Sequence, residues 1–295
     1  MRSKLRPEYY YRPQQNLIRL FSKPSGSPAQ VRLASGDSIW VHPEEMIGKK
    51  IWKRGVFDTS AAECLARLVE EGDVVYDVGA NIGQMTCISS RRAGPRGKVV
   101  SFEPHPEIYP EHCKNAALWT GSAPITPVQR AISNQAGELA LHIASDFAVD
   151  RGGSSLATAE GPATEGGRKV MVQVDVLDTY FADEPRVDVL KIDIEYHELE
   201  ALQGAAQALA AGKIRVVLYE SPHGYPTPVS DLLEGYGFTV FGVIAGFSGV
   251  QLVPGNEAKV PDYTISHNYI ATRDAQRTAA KFAAQGWRVL KKGLK

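Results

Sequence analysis

The sequence predicts an α/β fold, a doubly wound and mostly parallel sheet carrying a small N-terminal extension. Three observations lead there. Short apolar runs alternate with stretches of helical length from about residue 60 onward, the pattern of parallel strands joined by helical crossovers. The run Val74-Val75-Tyr76 leads into Asp77-Val78-Gly79-Ala80-Asn81-Ile82-Gly83, a glycine-bearing turn suited to link a buried strand to a helix. The next apolar run, Val99-Val100-Ser101-Phe102, ends in an acid, Glu103.

Residues 1–50 read as an arm with short strands, forming a cap or dimer contact, and residues 51–295 as the main domain. Pro24-Ser25-Gly26-Ser27-Pro28 loosens the arm. Strand-like pieces at Val31–Leu33 and Ser38–Val41 flank the turn signal Ser35-Gly36-Asp37. Ser60 stands where a helix cap belongs, before Leu65, Leu68 and Val69 at helical spacing. The alternation follows with a strand near 73–78, a helix from about 82, a strand near 98–103 and a helix over about 106–119. Further strands fall near 125–132 and over Gly137–Ile143. The stretch from Arg151 to Gly167, rich in Gly, Ser, Thr and Ala, reads as a mobile loop and candidate lid. A strand at 187–192, a helix over about 197–211 and a strand at 214–219 complete another β–α–β unit. Strands near 238–244 and 267–272 and a helix over about 275–285 close the chain. Ligands of such sheets bind at the carboxyl ends of the strands, where Asp77, Glu103, Asp193 and Glu220 stand.

The chain balances 33 Lys and Arg against 33 Asp and Glu, so no bulk basicity points to nucleic acid. No apolar run approaches the roughly 20 residues of a membrane span, and Met1–Pro7 lacks the apolar segment of a secretory signal. Cys64, Cys87 and Cys113 show no C-x-x-C spacing and read as buried or free thiols in a reducing, cytoplasmic setting. The basic arm with Tyr9-Tyr10-Tyr11 and the tail Lys291-Lys292-Gly293-Leu294-Lys295 read as solvated ends. The arm makes a homodimer plausible.

The glycine turn is spaced G-x-x-x-G, whereas a pyrophosphate site needs the tighter G-x-G-x-x-G. Asp77, just before the first glycine, would repel phosphate but suits an amino group. Glu103, roughly 20 residues beyond Gly83, has the spacing of an acid that accepts ribose hydroxyls. These features favour S-adenosylmethionine, which carries an ammonium, a sulfonium and no phosphate.

A second motif is Lys191-Ile192-Asp193-Ile194-Glu195-Tyr196-His197-Glu198. Asp193 and Glu195 are two apart and so project to one side of an extended chain. Such a pair can hold an amino group, orient an acceptor hydroxyl, take its proton or bind a divalent cation. Glu198 reads as an acid complementing a helix N-terminus.

Together these segments resemble the FkbM-type S-adenosylmethionine-dependent methyltransferases. The matching stretches are Gly72 to Gly83, Phe102-Glu103-Pro104, Ala131-Ile132-Ser133, Leu177-Asp178, and Val187 to Glu195 with Glu198 and Gly204. Ile51 to Asp58 resembles the segment that leads into the family's core, and coverage runs from about residue 38 to 220. The resemblance implies a class I methyltransferase fold with a seven-stranded sheet whose last strand is antiparallel. It also implies O-methylation of a hydroxyl on a sugar, polyketide or other secondary metabolite, as a small molecule or glycan. The implied cofactor-binding set is Asp77, Gly79, Ala80, Asn81, Gly83, Glu103, Pro104, Ala131, Ile132 and Asp193. Asp193 and Glu195 would face the reaction centre, and the Arg130–Ile132 backbone would lie by the adenine.

One position departs from the family pattern: Tyr196 stands where glycine usually follows the second acid. It would narrow the pocket, offer a phenol to an acceptor or weaken activity. Candidate bases are Asp193, Glu195, His197 and Glu220, ahead of His223 and His267. Magnesium held by Asp193, Glu195 and Glu220 is a disfavoured alternative. Two other functions stay open, a non-catalytic S-adenosylmethionine-binding scaffold and a nicotinamide-dependent oxidoreductase.

Overall fold

The computed structural model describes residues 26–152, 154–156, 167–258, 265–291 and 293–294. The basic arm before residue 26, most of the expected lid loop, Asp262, Tyr263, Lys292 and Lys295 lie outside the described residues.

The N-terminal extension is a hairpin of β1 (Ala29–Arg32) and β2 (Ser38–Val41), followed by helix α1 (Met46–Arg54). That helix spans residue 50 and is capped by the Glu45 carboxylate, which accepts from the Ile47 and Gly48 amides. Helix α2 (Thr59–Leu68) starts two residues earlier than its sequence signal, because Asp58 rather than Ser60 is the cap. The Asp58 Oδ1 accepts from the Ser60 and Ala61 amides at 3.1 and 3.0 Å.

The alternating core follows: β3 (Val74–Val78), α3 (Gln84–Ala93), β4 (Lys98–Phe102), α4 (Tyr109–Ala116) and β5 (Ile125–Val128). The strand expected over 125–132 is broken. Its end, β6 (Ala131–Ile132), leaves the central sheet for a second one with β7 (Gly137–Ile143), β8 (Ser155–Leu156) and β9 (Arg168–Asp175). Helix α5 (Leu177–Phe181) leads to β10 (Val187–Ile192). The helix expected over 197–211 is two pieces, α6 (Glu198–Gln203) and α7 (Ala206–Ala210). Gly204 lies at the break, where a β-carbon would sit 2.2 Å from the Ser133 carbonyl oxygen.

Strand β11 (Ile214–Glu220), helix α8 (Pro228–Gly235), strands β12 (Thr239–Gly246), β13 (Gly249–Pro254) and β14 (Ile265–Thr272), and helix α9 (Ala275–Phe282) complete the chain. The central sheet runs β13-β12-β14-β11-β10-β3-β4-β5. Neighbours from β11 to β5 pair in parallel, and β14 is antiparallel to both its neighbours. This is the expected seven-stranded arrangement with its antiparallel last strand, enlarged to eight because β13 folds back on β12 as a hairpin.

Every residue of β10 is buried, as a central strand covered on both faces requires. One face packs Leu65, Val75, Ile88 and Trp287; the other packs Tyr76, Phe102, Phe181, Leu190 and Tyr219. The C-terminal segment is tied down by Arg67, which is buried with Glu63 at 2.8 Å and donates to the Ala284 and Gly286 carbonyls. The extension docks through Asn115, which accepts from the Trp40 amide at 2.7 Å and donates to the Trp40 and Ile82 carbonyls. Among the described residues no helix is long and apolar enough to cross a membrane.

Candidate active site

Strand β3 is pinned between β4 and β10, so its last residues and the turn beyond it emerge at the centre of the sheet's carboxyl edge. The Asp193 amide donates to the Val78 carbonyl at 3.1 Å, drawing the end of β10 against that turn. Gly79 makes the approach feasible: its φ is +80°, and a β-carbon there would lie 1.9 Å from the Asp193 carbonyl oxygen. Over the turn opens a cavity of about 400 Å³. Its walls include Gly79, Ala80, Asn81, Glu103, Pro104, Ala131, Ile132, Asp193, Glu195 and Glu220, which converge from the ends of β3, β4, β6, β10 and β11.

Glu103 is held by two backbone donors, the Asn81 amide on Oε2 and the His105 amide on Oε1, both at 2.8 Å. Burial is the largest influence on this carboxyl and pushes its pKa up to about 7 despite those bonds. A ligand diol would replace the water that Glu103 loses by burial. Beside it His105 stacks flat on Phe147, with ring centres 4.4 Å apart.

Three expected site residues do not line the cavity. Asp77 is fully buried beneath the turn, accepts from the Thr86 hydroxyl at 2.6 Å and pairs with the Lys191 ammonium at 3.1 Å. Its carboxylate is thus occupied by protein groups. Gly83 starts α3 on the protein side of the turn. His197 is also buried, with Nε2 2.9 Å from the Ser133 hydroxyl, and burial lowers its pKa. Its geometry ties the second sheet to α6 and turns it away from the reaction space. Of the lower-ranked histidines, His223 is exposed beside Tyr196 and His267 is exposed on β14.

Lys191 donates to the Gly79 carbonyl at 2.8 Å and lies 3.6 Å from the Asp193 carboxylate. Burial works against its charge, but Asp77, Asp193 and Glu103 outweigh burial and raise its pKa. The cation therefore holds the turn, Asp77 and Asp193 in one cluster.

The register Ile192↔Tyr219 places Asp193 and Glu220 side by side at the ends of adjacent strands. Glu220 hydrogen-bonds to Asp193, and burial together with the Asp193 charge pushes its pKa up to about 9. The Glu195 pKa rises to about 7, chiefly through burial and then through the charges of Asp193, Glu198 and Asp150. Glu198 is buried, accepts from the Ile194 amide at 3.1 Å and titrates at about 7 for the same reason. Among the described residues no three His, Cys, Asp or Glu side chains gather where they could hold a metal ion.

Several cavity residues lie outside the set that the sequence names as candidate site residues. Met46, Ile47, Phe57 and Asp58 come from the N-terminal side, and Asp150 and Arg151 from the segment after β7. Asp58 Oδ2 accepts from the Asn268 side chain at 3.0 Å, which joins α2 to β14 at the cavity rim. Its one local signal is an acid standing before Thr59-Ser60, a helix-cap pattern. Arg151 pairs through both terminal nitrogens with Glu111, at 2.9 and 3.0 Å, a long-range contact with no local signal.

The cavity fits S-adenosylmethionine in kind: a glycine cradle without side-chain obstruction, a buried carboxyl for a ribose diol, and carboxylates near the place a cation would occupy. Glu103 would hold the ribose, and Ala131 and Ile132 would flank the adenine. Asp193, backed by Lys191, would face the methionine end.

Comparison with known proteins bears on the family. The profile of the Methyltransferase FkbM domain matches residues 77–240. The chain is 29% identical to hexuronic acid methyltransferase AglP of Haloferax volcanii over 191 residues, 63% of this chain and 72% of that protein. It is 31% identical to methyltransferase sdnD of Sordaria araneosa over 195 residues, 56% of this chain and 73% of that protein. A solved S-adenosylmethionine-dependent methyltransferase from Agrobacterium tumefaciens aligns with a TM-score of 0.45 at 12% identity, covering 85% of this chain and 71% of that one. The domain match spans more than half the chain and sets aside the nicotinamide reading, so the chain belongs to the FkbM methyltransferase family, whose methyl donor is S-adenosylmethionine.

Proposed function

We propose that this enzyme methylates a hydroxyl oxygen of a sugar-bearing small molecule or glycan. The observation that carries the reading is Glu195, a cavity-lining carboxyl whose pKa of about 7 matches the demands on a general base at neutral pH. When bound, S-adenosylmethionine supplies an electrophilic methyl group. The acceptor oxygen takes that methyl as its bond to the sulfonium sulfur breaks, which leaves the neutral thioether S-adenosylhomocysteine, while Glu195 takes the hydroxyl proton. Asp193, 3.6 Å from the Lys191 ammonium, orients the acceptor hydroxyl and the cationic end of the donor. Alignment of the two reactants in the cavity contributes most of the acceleration.

The hexuronic acid relative supports a sugar acceptor. Magnesium has no part in the proposal. The test is transfer from isotopically labelled S-adenosylmethionine into a fractionated extract of small molecules and glycans, with and without chelator. Label in an alkali-stable product, undiminished by chelator, supports O-methylation of a hydroxyl without a metal. Label found on nitrogen or carbon, or lost on chelation, overturns the corresponding part.

A further inference from the structure

Glu195 and Tyr196 both adopt left-handed backbone conformations, with φ of +51° and +70°. For residues with a β-carbon this region is strained, and two in succession persist only where the surroundings impose them. Tyr196 occupies the position where glycine, which takes such angles freely, follows the acidic pair in the family pattern. The chain thus keeps a large aromatic ring where its backbone favours none.

The ring has a partner. Tyr196 is half-buried and its centroid lies 5.9 Å from that of the exposed His223, the planes tilted by 48°. Tyr196 directly follows Glu195, and His223 comes three residues after Glu220, both of them cavity-lining acids. The two rings therefore bridge the loops that leave β10 and β11, one residue beyond Glu195 and three beyond Glu220 along the chain.

We infer that Tyr196 and His223 form an acceptor platform, on which the C–H-rich face of a pyranose packs while its hydroxyl reaches Glu195. This rests on the sugar-directed O-methyltransferase reading above and assigns Tyr196 as a specificity-determining residue. Aromatic rings suit this task because they offer a rigid apolar face with a polar edge at low entropic cost. The acids alongside supply hydrogen-bond acceptors for the sugar's remaining hydroxyls.

The experiment is saturation-transfer NMR with the methyl glycosides of glucose, galactose and mannose, added to protein loaded with S-adenosylhomocysteine. The proteins compared are wild type, Tyr196→Gly and Tyr196→Phe, with cofactor-product affinity and thermal midpoint measured on each. In wild type, ring C–H protons of at least one glycoside receive saturation. Affinity falls about tenfold in Tyr196→Gly, the scale of one aromatic contact, and is kept in Tyr196→Phe. Tyr196→Gly also melts higher, because glycine relieves the left-handed strain, and binds S-adenosylhomocysteine as before. Equal saturation in wild type and Tyr196→Gly, or none in any protein, overturns the platform. A lower midpoint with lost S-adenosylhomocysteine affinity in Tyr196→Gly assigns the ring a structural role and overturns it equally. Failure of the wild type itself to bind S-adenosylhomocysteine removes the methyltransferase reading, and the platform falls with it.

Discussion

The Lys191 ammonium lies 3.1 Å from the Asp77 carboxylate in a buried ion pair beneath the glycine turn. Both members stand on adjacent strands at the same level, in the register Lys191↔Asp77. Removing one partner of a buried pair strands the other, at a cost of about 3–5 kcal/mol. Lys191→Met should therefore lower the thermal midpoint by on the order of 10 °C. The double variant Lys191→Met/Asp77→Leu should recover part of that loss. A midpoint for Lys191→Met equal to wild type would show that the pair does not hold the turn.

The two halves of the acidic motif should separate cleanly in kinetics. Asp193→Asn and Glu195→Gln each should lower turnover by on the order of 10²-fold, the scale of general-base and orienting contributions. Glu198→Gln should melt lower, since Glu198 is buried on the Ile194 amide, while turnover stays close to wild type. Equal loss of turnover in all three would refute the assignment. With cofactor saturating, wild-type turnover should rise with pH through about 7 as Glu195 loses its proton, and Glu195→Gln should lack that limb.

Stability should respond to pH in the opposite sense. The Glu220 pKa is raised in the fold from 4.5 to about 9, so the folded state binds its proton more tightly than the unfolded chain. That contribution is fully present below about pH 4.5 and disappears as pH rises through about 9. Between about pH 6 and pH 9 the cofactor-free wild type should lose more stability than Glu220→Gln, read from denaturant midpoints at each pH. Parallel curves would place the Glu220 titration elsewhere.

Gly79→Ala should abolish cofactor binding. The substitution imposes a left-handed alanine, costing about 1–2 kcal/mol. It also drives a methyl group against the Asp193 carbonyl, 1.9 Å away before any movement. The turn and the end of β10 must part, and titration with S-adenosylmethionine should show at least a tenfold loss. Unchanged affinity would mean the cradle tolerates that separation.

Much of this was open to reading in one dimension, and the exceptions have physical causes. β3 and β10 announce themselves because strands buried on both faces are rich in Val, Leu and Ile on both sides, with Asp77, Asp188 and Lys191 as the polar exceptions. Glu103 and Asp193 are legible because their position at strand ends follows from that reading. β9 escaped notice although Val170, Val172 and Val174 alternate toward the interior, because its start abuts the Gly-rich stretch read as one loop. The division of 197–211 into two helices depends on Gly204 meeting Ser133, a contact between segments some seventy residues apart in sequence. Asp77 was legible as a key residue but not in its orientation, which is decided by the Lys191 and Thr86 side chains it meets. Asp58 reaches the cavity rim through Asn268, far along the chain.

The wall contributed by Met46, Ile47 and Phe57 precedes residue 77, where the family match begins, whereas Gly79, Glu103, Asp193 and Glu195 all lie inside it. The cavity is thus walled by residues on both sides of that boundary, while these four lie on one side of it. Substitutions between residues 46 and 57 can reshape which molecules are admitted while the methyl-handling parts stay untouched. Such an enzyme can acquire a new acceptor by altering one wall of its cavity without first surrendering its catalyst.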